Sequence, residues 1–325
     1  MSNKIIVSAP GKLMLLGEHA VVYDRPCLVT AVGQRMRATV ELLDTPEFIL
    51  DAQDVKVMGY RKTIEELGMG EIPKGAKFVE IAFKNFLEKY PMKTGVHVTT
   101  TSEFSSLFGF GSSSASTVCV IKALSELTGK NLSNKEIFDL AYKTVLDIQG
   151  KGSGFDVAAA VYGGTLYFVT GGKVIEPLTL SDLPLVVGYS GVKADTVTLI
   201  GEVKKKMDAE PEKVNRIYDA IRDLVEKAKA DIGKGDWETV GKWMNFDQEY
   251  LRDLGVSTEK LEAMISAAKK VGAWGAKLSG AGGGDCMIAL ITNDKKKAVT
   301  EAITKAGGQV IDVSVNAEGV RVELS

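Results

Sequence analysis

The stretch GFGSSSAS, residues 109–116, decides how the rest of the chain is organised. Its two glycines carry no Cβ, so the backbone there can close around a bulky anion. The apolar run TVCVIKAL directly after it predicts a helix that begins at the serines. Unpaired N–H groups and the positive end of the helix dipole favour phosphate at such a start. The alternative is a flexible turn that only caps a helix, and the stretch does not match the P-loop pattern G-x-x-x-x-G-K-S/T.

Two further glycine-rich segments follow, GKGSGFD at 150–156 and GAGGGD at 280–285. An aspartate beside glycines is usually a turn former. Asp156 also stands at the start of a predicted helix, where it could accept a proton from a substrate hydroxyl. Four glycines in the five residues 280–284 suit a backbone that a ligand approaches closely. Three such loops, one with hydroxyls at a helix start, predict a phosphoryl-transfer site shared by two domains.

Composition argues against several classes of protein. The chain has 325 residues, of which 45% are hydrophobic and 25% charged, as is typical of a soluble globular protein. A formal net charge of −2 argues against non-specific nucleic-acid binding. Cys27, Cys119 and Cys286 lie far apart, which fits a reduced cytosolic protein better than a disulfide scaffold or a zinc site. Because the pattern shows no signal peptide or membrane span, we expect a cytoplasmic protein without nucleic-acid or membrane partners.

Hydrophobic patterns predict the elements that surround the glycine loops. A short strand at 5–9 is expected to break at Pro10. The interleaved charges of KLMLLGEHAVVY, residues 12–23, then favour a polar cleft. A helix is predicted at 134–149, with Ser133 as its N-cap. Solvated helices are predicted between residues 199 and 269.

Turn signals at 171–183 mark a domain boundary, which divides the chain into domains 1–180 and 181–325. The first domain contains the serine loop and the second contains the last glycine cluster. At the end of the chain, residues 309–324 are expected to form a β-hairpin with an Asn-Ala-Glu-Gly turn.

Three motifs resemble the GHMP kinases, a family of ATP-dependent small-molecule kinases. They are SAPGK at 8–12 with GEH at 17–19, the loop at 109–115, and KLSGAGGGD at 277–285. These motifs stand in the family's order along the whole chain. The resemblance implies an α+β fold with two domains, an N-terminal α/β domain (ribosomal protein S5 domain 2-like) and a C-terminal ferredoxin-like domain. ATP and a small-molecule substrate would bind between them, and a homodimer is compatible with this family.

Within the family, two branches are represented. GEHAVVY at 17–23, LGVS at 254–257 and GAKLSGAGGG at 275–284 resemble mevalonate kinases, whereas QGKGSGFDVA at 149–158 and GDC at 284–286 resemble phosphomevalonate kinases. The first likeness implies phosphorylation of mevalonate to 5-phosphomevalonate, on the route to isoprenoids, with ATP and Mg²⁺. The alternatives are phosphomevalonate as acceptor and a non-catalytic nucleotide-binding module.

The resemblance also assigns roles to residues. Asp156 would be the catalytic base and Lys12 the cation beside it. The substrate would be placed by Glu18, His19 and Thr196, and Lys151 could pair with an extra substrate phosphate. The remaining residues are expected to contact ATP: Gly109, Phe110, Gly111, Ser112, Ser113, Ser114, Gly280, Gly282 and Gly283.

The expected Mg²⁺ site departs from the family pattern. Ser113, or Ser112, is the hydroxyl expected to reach the ion. Typical mevalonate kinases have a Mg²⁺-binding glutamate eleven positions before the catalytic aspartate, and this chain has Val145 there. Asp147, two residues on, is the acidic side chain that could replace it.

Overall fold

The computed structural model describes residues 3–180 and 182–323, except for the side chain of Val197. These residues form two sheets in which most neighbouring strands are antiparallel, and helices pack on each sheet. The α+β fold class expected from the resemblance is confirmed. No helix among these residues combines the length and the apolar character needed to cross a bilayer.

The first sheet has the strand order β12-β1-β2-β5-β3-β4, and β6 joins β2 to β7. Its central strands are largely buried, because helices from both halves of the chain pack on them. The strands are β1 (Lys4–Leu16), β2 (Pro26–Leu42), β3 (Glu47–Ala52), β4 (Val57–Thr63), β5 (Val96–Ser102), β6 (Thr165–Val169), β7 (Val174–Leu178) and β12 (Arg321–Val322).

Four helices accompany this sheet, α1 (Lys77–Lys89), α2 (Ser112–Leu127), α3 (Asn134–Gln149) and α4 (Phe155–Tyr162). The predicted bounds of α3 are confirmed. Its N-cap is Ser133, whose hydroxyl accepts a hydrogen bond from the Glu136 N–H. The Glu136 carboxylate in turn accepts a hydrogen bond from the Ser133 N–H. The starts of α2 and α4 both lie at positive-φ glycines and face the same cavity.

The second sheet has the order β11-β8-β10-β9, with every neighbouring pair antiparallel. Counted within this sheet, the order is 4-1-3-2, with helices between the first and second and between the third and fourth strands. This is the ferredoxin-like arrangement expected for the second half of the chain. The elements are β8 (Leu185–Tyr189), α5 (Thr196–Ala209), α6 (Pro211–Ile232), α7 (Trp237–Leu254), α8 (Glu259–Lys270), β9 (Gly275–Ser279), β10 (Cys286–Leu290), α9 (Lys296–Lys305) and β11 (Gln309–Ile311).

The predicted strand break at Pro10 is wrong. β1 continues through it, because the pairing with β2 shifts register between Pro10 and Gly11 and the extra residues bulge on β2. A Cβ on Gly11 would stand 3.1 Å from Phe110 Cβ, so glycine lets β1 approach the serine loop closely. The Lys12 N–H then donates to the Phe110 carbonyl at 3.0 Å. The bulge therefore brings Lys12 to the predicted phosphate loop.

The predicted C-terminal hairpin is also wrong. β11 pairs with β8 in the second sheet, whereas β12 pairs with β1 in the first. The intervening turn packs against the end of α4, where the Gly164 N–H donates to the Ala317 carbonyl at 2.7 Å. The last residue of the expected hairpin, Leu324, lies outside the described residues. The boundary near residue 180 stays a prediction, although the chain crosses back to the first sheet at its end.

Candidate active site

Loops of both sheets surround one cavity, and most of the predicted site residues line it. The first part of the chain contributes the end of β1, the loop before α2 and the starts of α2 and α4. The second part contributes the loop before α5 and the glycine loop after β9. The predicted residues on its wall are Lys12, Glu18, His19, Gly109, Gly111, Ser112, Ser113, Asp156, Thr196 and Gly280.

The serine loop has the backbone of an anion site. Gly109 and Gly111 have φ values of +72° and +80°. Gly111 is the N-cap of α2 and has no side chain to occupy the N–H groups of the first turn. A Cβ on Gly109 would lie 2.4 Å from Asp285 Oδ2, so no other residue fits there without movement. Ser112 and Ser113, the first two residues of α2, line the cavity, and the N–H groups of a helix's first turn have no partner within the helix. This arrangement can bind a phosphate through the helix start.

Asp156 lies in the first turn of α4, at the positive end of that helix. Its Oδ1 accepts the Val157 N–H at 3.0 Å, and its Oδ2 accepts the Ser114 hydroxyl at 2.6 Å. These two hydrogen bonds fix the carboxylate at the cavity wall. Ser114, expected to contact ATP, is not among the lining residues and binds Asp156 instead.

Lys12 stands beside Asp156 and is almost fully buried. Its ammonium donates to the Gly109 carbonyl at 2.7 Å and lies 5.3 Å from the centre of the Phe155 ring. Burial lowers the pKa of Lys12 below its ordinary value, while the negative charges of Asp156 and Asp285 oppose this shift. Lys12 thus supplies a desolvated cation between the base and the phosphate loop.

We predict that Ser114→Ala lowers kcat about tenfold and leaves the KM for ATP within about twofold, because it removes one hydrogen bond that orients the Asp156 carboxylate. Ser112→Ala is the matched comparison, since Ser112 lines the cavity and its loss should act mainly on the KM for ATP. Steady-state kinetics of both variants measure the difference. A Ser114→Ala enzyme with normal kcat and a raised KM for ATP would contradict this prediction and indicate that Ser114 binds the triphosphate.

Glu18 and His19 follow β1 and meet the glycine loop of the second sheet. His19 has φ +58°, and its Nε2 lies 2.9 Å from the Ala281 carbonyl, to which a protonated Nε2 donates. Burial lowers the pKa of His19, so the imidazole is neutral near pH 7. Glu18 Oε1 is bound by the Lys277 ammonium. Both residues therefore connect the cavity wall to the second sheet.

Among the lining residues that the site prediction missed, three lie close together: Ser106, Lys193 and Asp285. Lys193 Nζ donates to the Ser106 carbonyl at 2.7 Å and lies 3.9 Å from Asp285 Oδ1, which also accepts the Ala194 N–H at 2.9 Å. Asp285 thereby holds the loop before α5 against the serine loop. The signal in the sequence is that Asp285 directly follows the glycine run. The structure gives it a positive φ of +53°, which is uncommon for a residue other than glycine.

Other predicted site residues lie outside the cavity wall. Phe110 is buried and its ring packs near Phe104 and Phe108. A Cβ on Gly282 would lie 2.2 Å from the Val256 carbonyl oxygen, and one on Gly283 would lie 2.6 Å from a Leu199 methyl, so both glycines permit close packing of their loop. Lys151 is half-buried beside the wall and does not line it.

Asp147 does not replace the missing glutamate. Its Oδ2 accepts hydrogen bonds from Asn85 at 2.9 Å and Lys143 at 2.7 Å, in a separate surface hollow. The α3 residues on the cavity wall are Val145 and Gln149. Within residues 3–180 and 182–323, no three His, Cys, Asp or Glu side chains are grouped to hold a metal. A Mg²⁺ ion that enters with ATP needs few protein ligands, because the phosphates supply oxygens. Ser113, on the wall, fits the expected hydroxyl ligand.

Comparisons with known proteins agree with this geometry. The family model "GHMP kinases N terminal domain" matches residues 77–164, and "GHMP kinases C terminal" matches residues 228–309. The mevalonate kinase of Pyrococcus horikoshii is 38% identical over 99% of this chain and 99% of its own.

Solved structures agree along the full chain as well. The mevalonate kinase of Methanococcus jannaschii is 28% identical with a TM-score of 0.81, covering 95% of this chain and 97% of its own. The L. major mevalonate kinase in complex with R-mevalonate is 26% identical with a TM-score of 0.79, covering 98% and 97%. The chain therefore belongs to the GHMP kinase family, and the three relatives described above are mevalonate kinases.

Proposed function

We propose that the protein transfers the γ-phosphoryl group of MgATP to the primary hydroxyl of mevalonate, giving 5-phosphomevalonate and ADP on the route to isoprenoids. The observation that carries the proposal is the juxtaposition of Asp156, Lys12 and the start of α2 on one cavity wall. Relatives that share 34–38% identity over nearly the whole chain and are named mevalonate kinase support mevalonate as the acceptor.

The proposed reaction uses Asp156 as general base. Its carboxylate takes the proton of the substrate hydroxyl, the hydroxyl oxygen forms a bond to the γ-phosphorus, and the bond from that phosphorus to the β,γ-bridging oxygen breaks. ADP leaves with the bridging oxygen. Lys12 offsets the negative charge that gathers between Asp156 and the phosphates.

The remaining lining groups bind and orient. The N–H groups at the start of α2 and the hydroxyls of Ser112 and Ser113 bind phosphate oxygens, with Ser113 as the protein ligand of Mg²⁺. Mg²⁺ neutralises phosphate charge when it arrives with ATP. Of the residues expected to place the acceptor, His19 and Thr196 line the cavity, and Glu18, whose side chain is buried, contacts the N–H of Gly280 on its wall.

We also propose a cytoplasmic location, since the three cysteines are free and buried in the described part of the chain. A homodimer stays a prediction.

Phosphomevalonate is the competing acceptor, and Lys151 tests it. We predict that Lys151→Met changes the KM for mevalonate less than about twofold. Mevalonate carries a carboxylate but no phosphate for Lys151 to pair with, and a partly exposed charge that does not line the cavity contributes little to binding. Lys193→Met is the comparison, since Lys193 lies on the wall. If the acceptor carried a phosphate bound by Lys151, its KM would rise sharply in the first variant and kinetics on both acceptors would show it.

The product identifies the reaction. Phosphorus NMR of a mixture of protein, MgATP and mevalonate should show a new phosphate monoester growing with ADP. Growth of inorganic phosphate with ADP, and no ester, would make the protein an ATP hydrolase and refute the proposal.

A further inference from the structure

Three charged side chains lie buried where the two sheets meet. Glu18 comes from the turn after β1, Asp247 from α7 and Lys277 from β9, and their side chains have 0% exposed surface. The Lys277 ammonium contacts Glu18 Oε1 and lies 3.4 Å from Asp247 Oδ2. It also donates to the Leu278 carbonyl at 2.7 Å. One buried cation therefore pairs with two buried carboxyl groups.

The number of charges requires a proton. With both carboxyls ionised, one negative charge would remain uncompensated in a desolvated site, which is strongly unfavourable. Glu18 Oε2 and both carboxyl oxygens of Asp247 are buried without a hydrogen-bond donor among the described residues. Two carboxylates cannot hydrogen bond to each other, but a carboxyl can donate to a carboxylate. Burial raises the pKa of Asp247 to about 8, with Lys277 opposing the shift and Glu18 adding to it.

Glu18 connects this set to the cavity. Its Oε1 accepts the Gly280 N–H at 3.4 Å, and the next residue, His19, contacts the Ala281 carbonyl. Gly280 and Ala281 both line the cavity. The position of the Glu18 carboxylate therefore helps to set where the glycine loop stands against bound substrate.

We propose that Asp247 and Lys277 are positioning residues that hold Glu18 against Gly280. The carboxyl groups of Asp247 and Glu18 share one proton, and the Lys277 ammonium compensates the remaining negative charge. Neither Asp247 nor Lys277 lines the cavity, and both act through Glu18. When the proton is lost, the two buried carboxylates repel each other. This repulsion displaces Glu18 and weakens binding of the acceptor. The kinetic part of the proposal rests on the proposed kinase function, whereas the shared proton does not.

The surroundings limit what else can titrate here. Lys277 on β9 and Glu18 on the turn face Asp247, and His19 follows Glu18 with a pKa that burial lowers. Cys27 on β2 faces Glu18, and burial raises its thiol pKa well above the ordinary value, so it stays neutral. Lys12 has a lowered pKa of its own, which adds a separate alkaline loss of kcat.

The test compares wild type with Asp247→Asn, which cannot ionise but still donates to Glu18. If only the protonated form holds the loop, the wild-type KM for the acceptor rises up to about 30-fold between about pH 7 and about pH 9.5, with a smaller change in kcat. In Asp247→Asn this rise should disappear, while the alkaline loss of kcat from Lys12 remains. Asp253→Asn, an exposed aspartate of the same helix, should follow wild type. An Asp247→Asn KM profile that matches wild type would overturn the proposal.

A second readout needs neither substrate nor a folded variant. Infrared spectra of the wild-type protein should show the C=O stretch of a protonated carboxyl at about pH 6.5 and lose it by about pH 9.5. Its absence at the lower pH would overturn the shared proton, whatever the activity. A band that is present in a protein inactive toward mevalonate would refute the proposed function and leave the proton in place.

Discussion

Asp156→Asn should lower kcat by about 10³-fold or more, because the general base is lost while its shape is kept. Asparagine can still accept the Ser114 hydroxyl, so the fold around α4 should persist. The affinity for ATP should stay within about twofold, since the change removes a negative charge and no phosphate ligand. Single-turnover kinetics and calorimetric titration of ATP measure the two effects separately.

Asp147→Asn is the control for that experiment. Asp147 binds Asn85 and Lys143 on the outer face of α3, so its replacement should leave both kcat and ATP affinity near wild type. An Asp156→Asn enzyme with more than about a tenth of the wild-type kcat would remove Asp156 from the role of base.

Lys277→Met should lower the free energy of unfolding by about 3–5 kcal/mol, because it leaves two carboxyl groups buried without their cation. This is a large part of the roughly 5–15 kcal/mol that stabilises a typical folded protein. The loss should shrink as the pH falls, because protonation removes the uncompensated charge. Urea unfolding at several pH values measures both the loss and its pH dependence.

Two further variants show whether charge is the cause. Lys242→Met removes an exposed lysine that pairs with Glu238 at 3.0 Å on α7, and should cost less than about 1 kcal/mol. Adding Glu18→Gln and Asp247→Asn to Lys277→Met makes the buried set neutral and should restore most of the stability. If Lys277→Met unfolds within about 1 kcal/mol of wild type, the buried set contributes little and the account of it is wrong.

Features that depend on neighbours along the chain could be predicted from the sequence. The serine loop, the helix after it and the Ser133 cap are local, since a glycine, a helix start and a capping serine act within a few residues. The same holds for the glycine loop after β9. The family resemblance, now confirmed, joined these local signals into one site.

Features that depend on distant pairing could not be predicted in the same way. The alternation at residues 309–323 indicates strands but not their partners, so the hairpin was predicted where β11 and β12 join different sheets. Pro10 suggests a break, yet the register shift of β2 accommodates it.

The electrostatic part of the site was hidden for a related reason. Lys277 and Glu18 are separated by 259 positions, and Asp247 reads as one polar residue of a solvated helix. Ser114 reads as part of the phosphate loop, although its hydroxyl turns to Asp156 on another helix. Such contacts are visible only when the elements are packed together.

The central claim is that this site phosphorylates mevalonate with MgATP. The most direct measurement is a coupled assay of ADP release by the purified protein, with mevalonate, 5-phosphomevalonate and no acceptor run side by side. Turnover with mevalonate alone, lost in Asp156→Asn, is the expected result. Turnover with 5-phosphomevalonate alone, or ADP release no faster with either acceptor than in the blank, would contradict it.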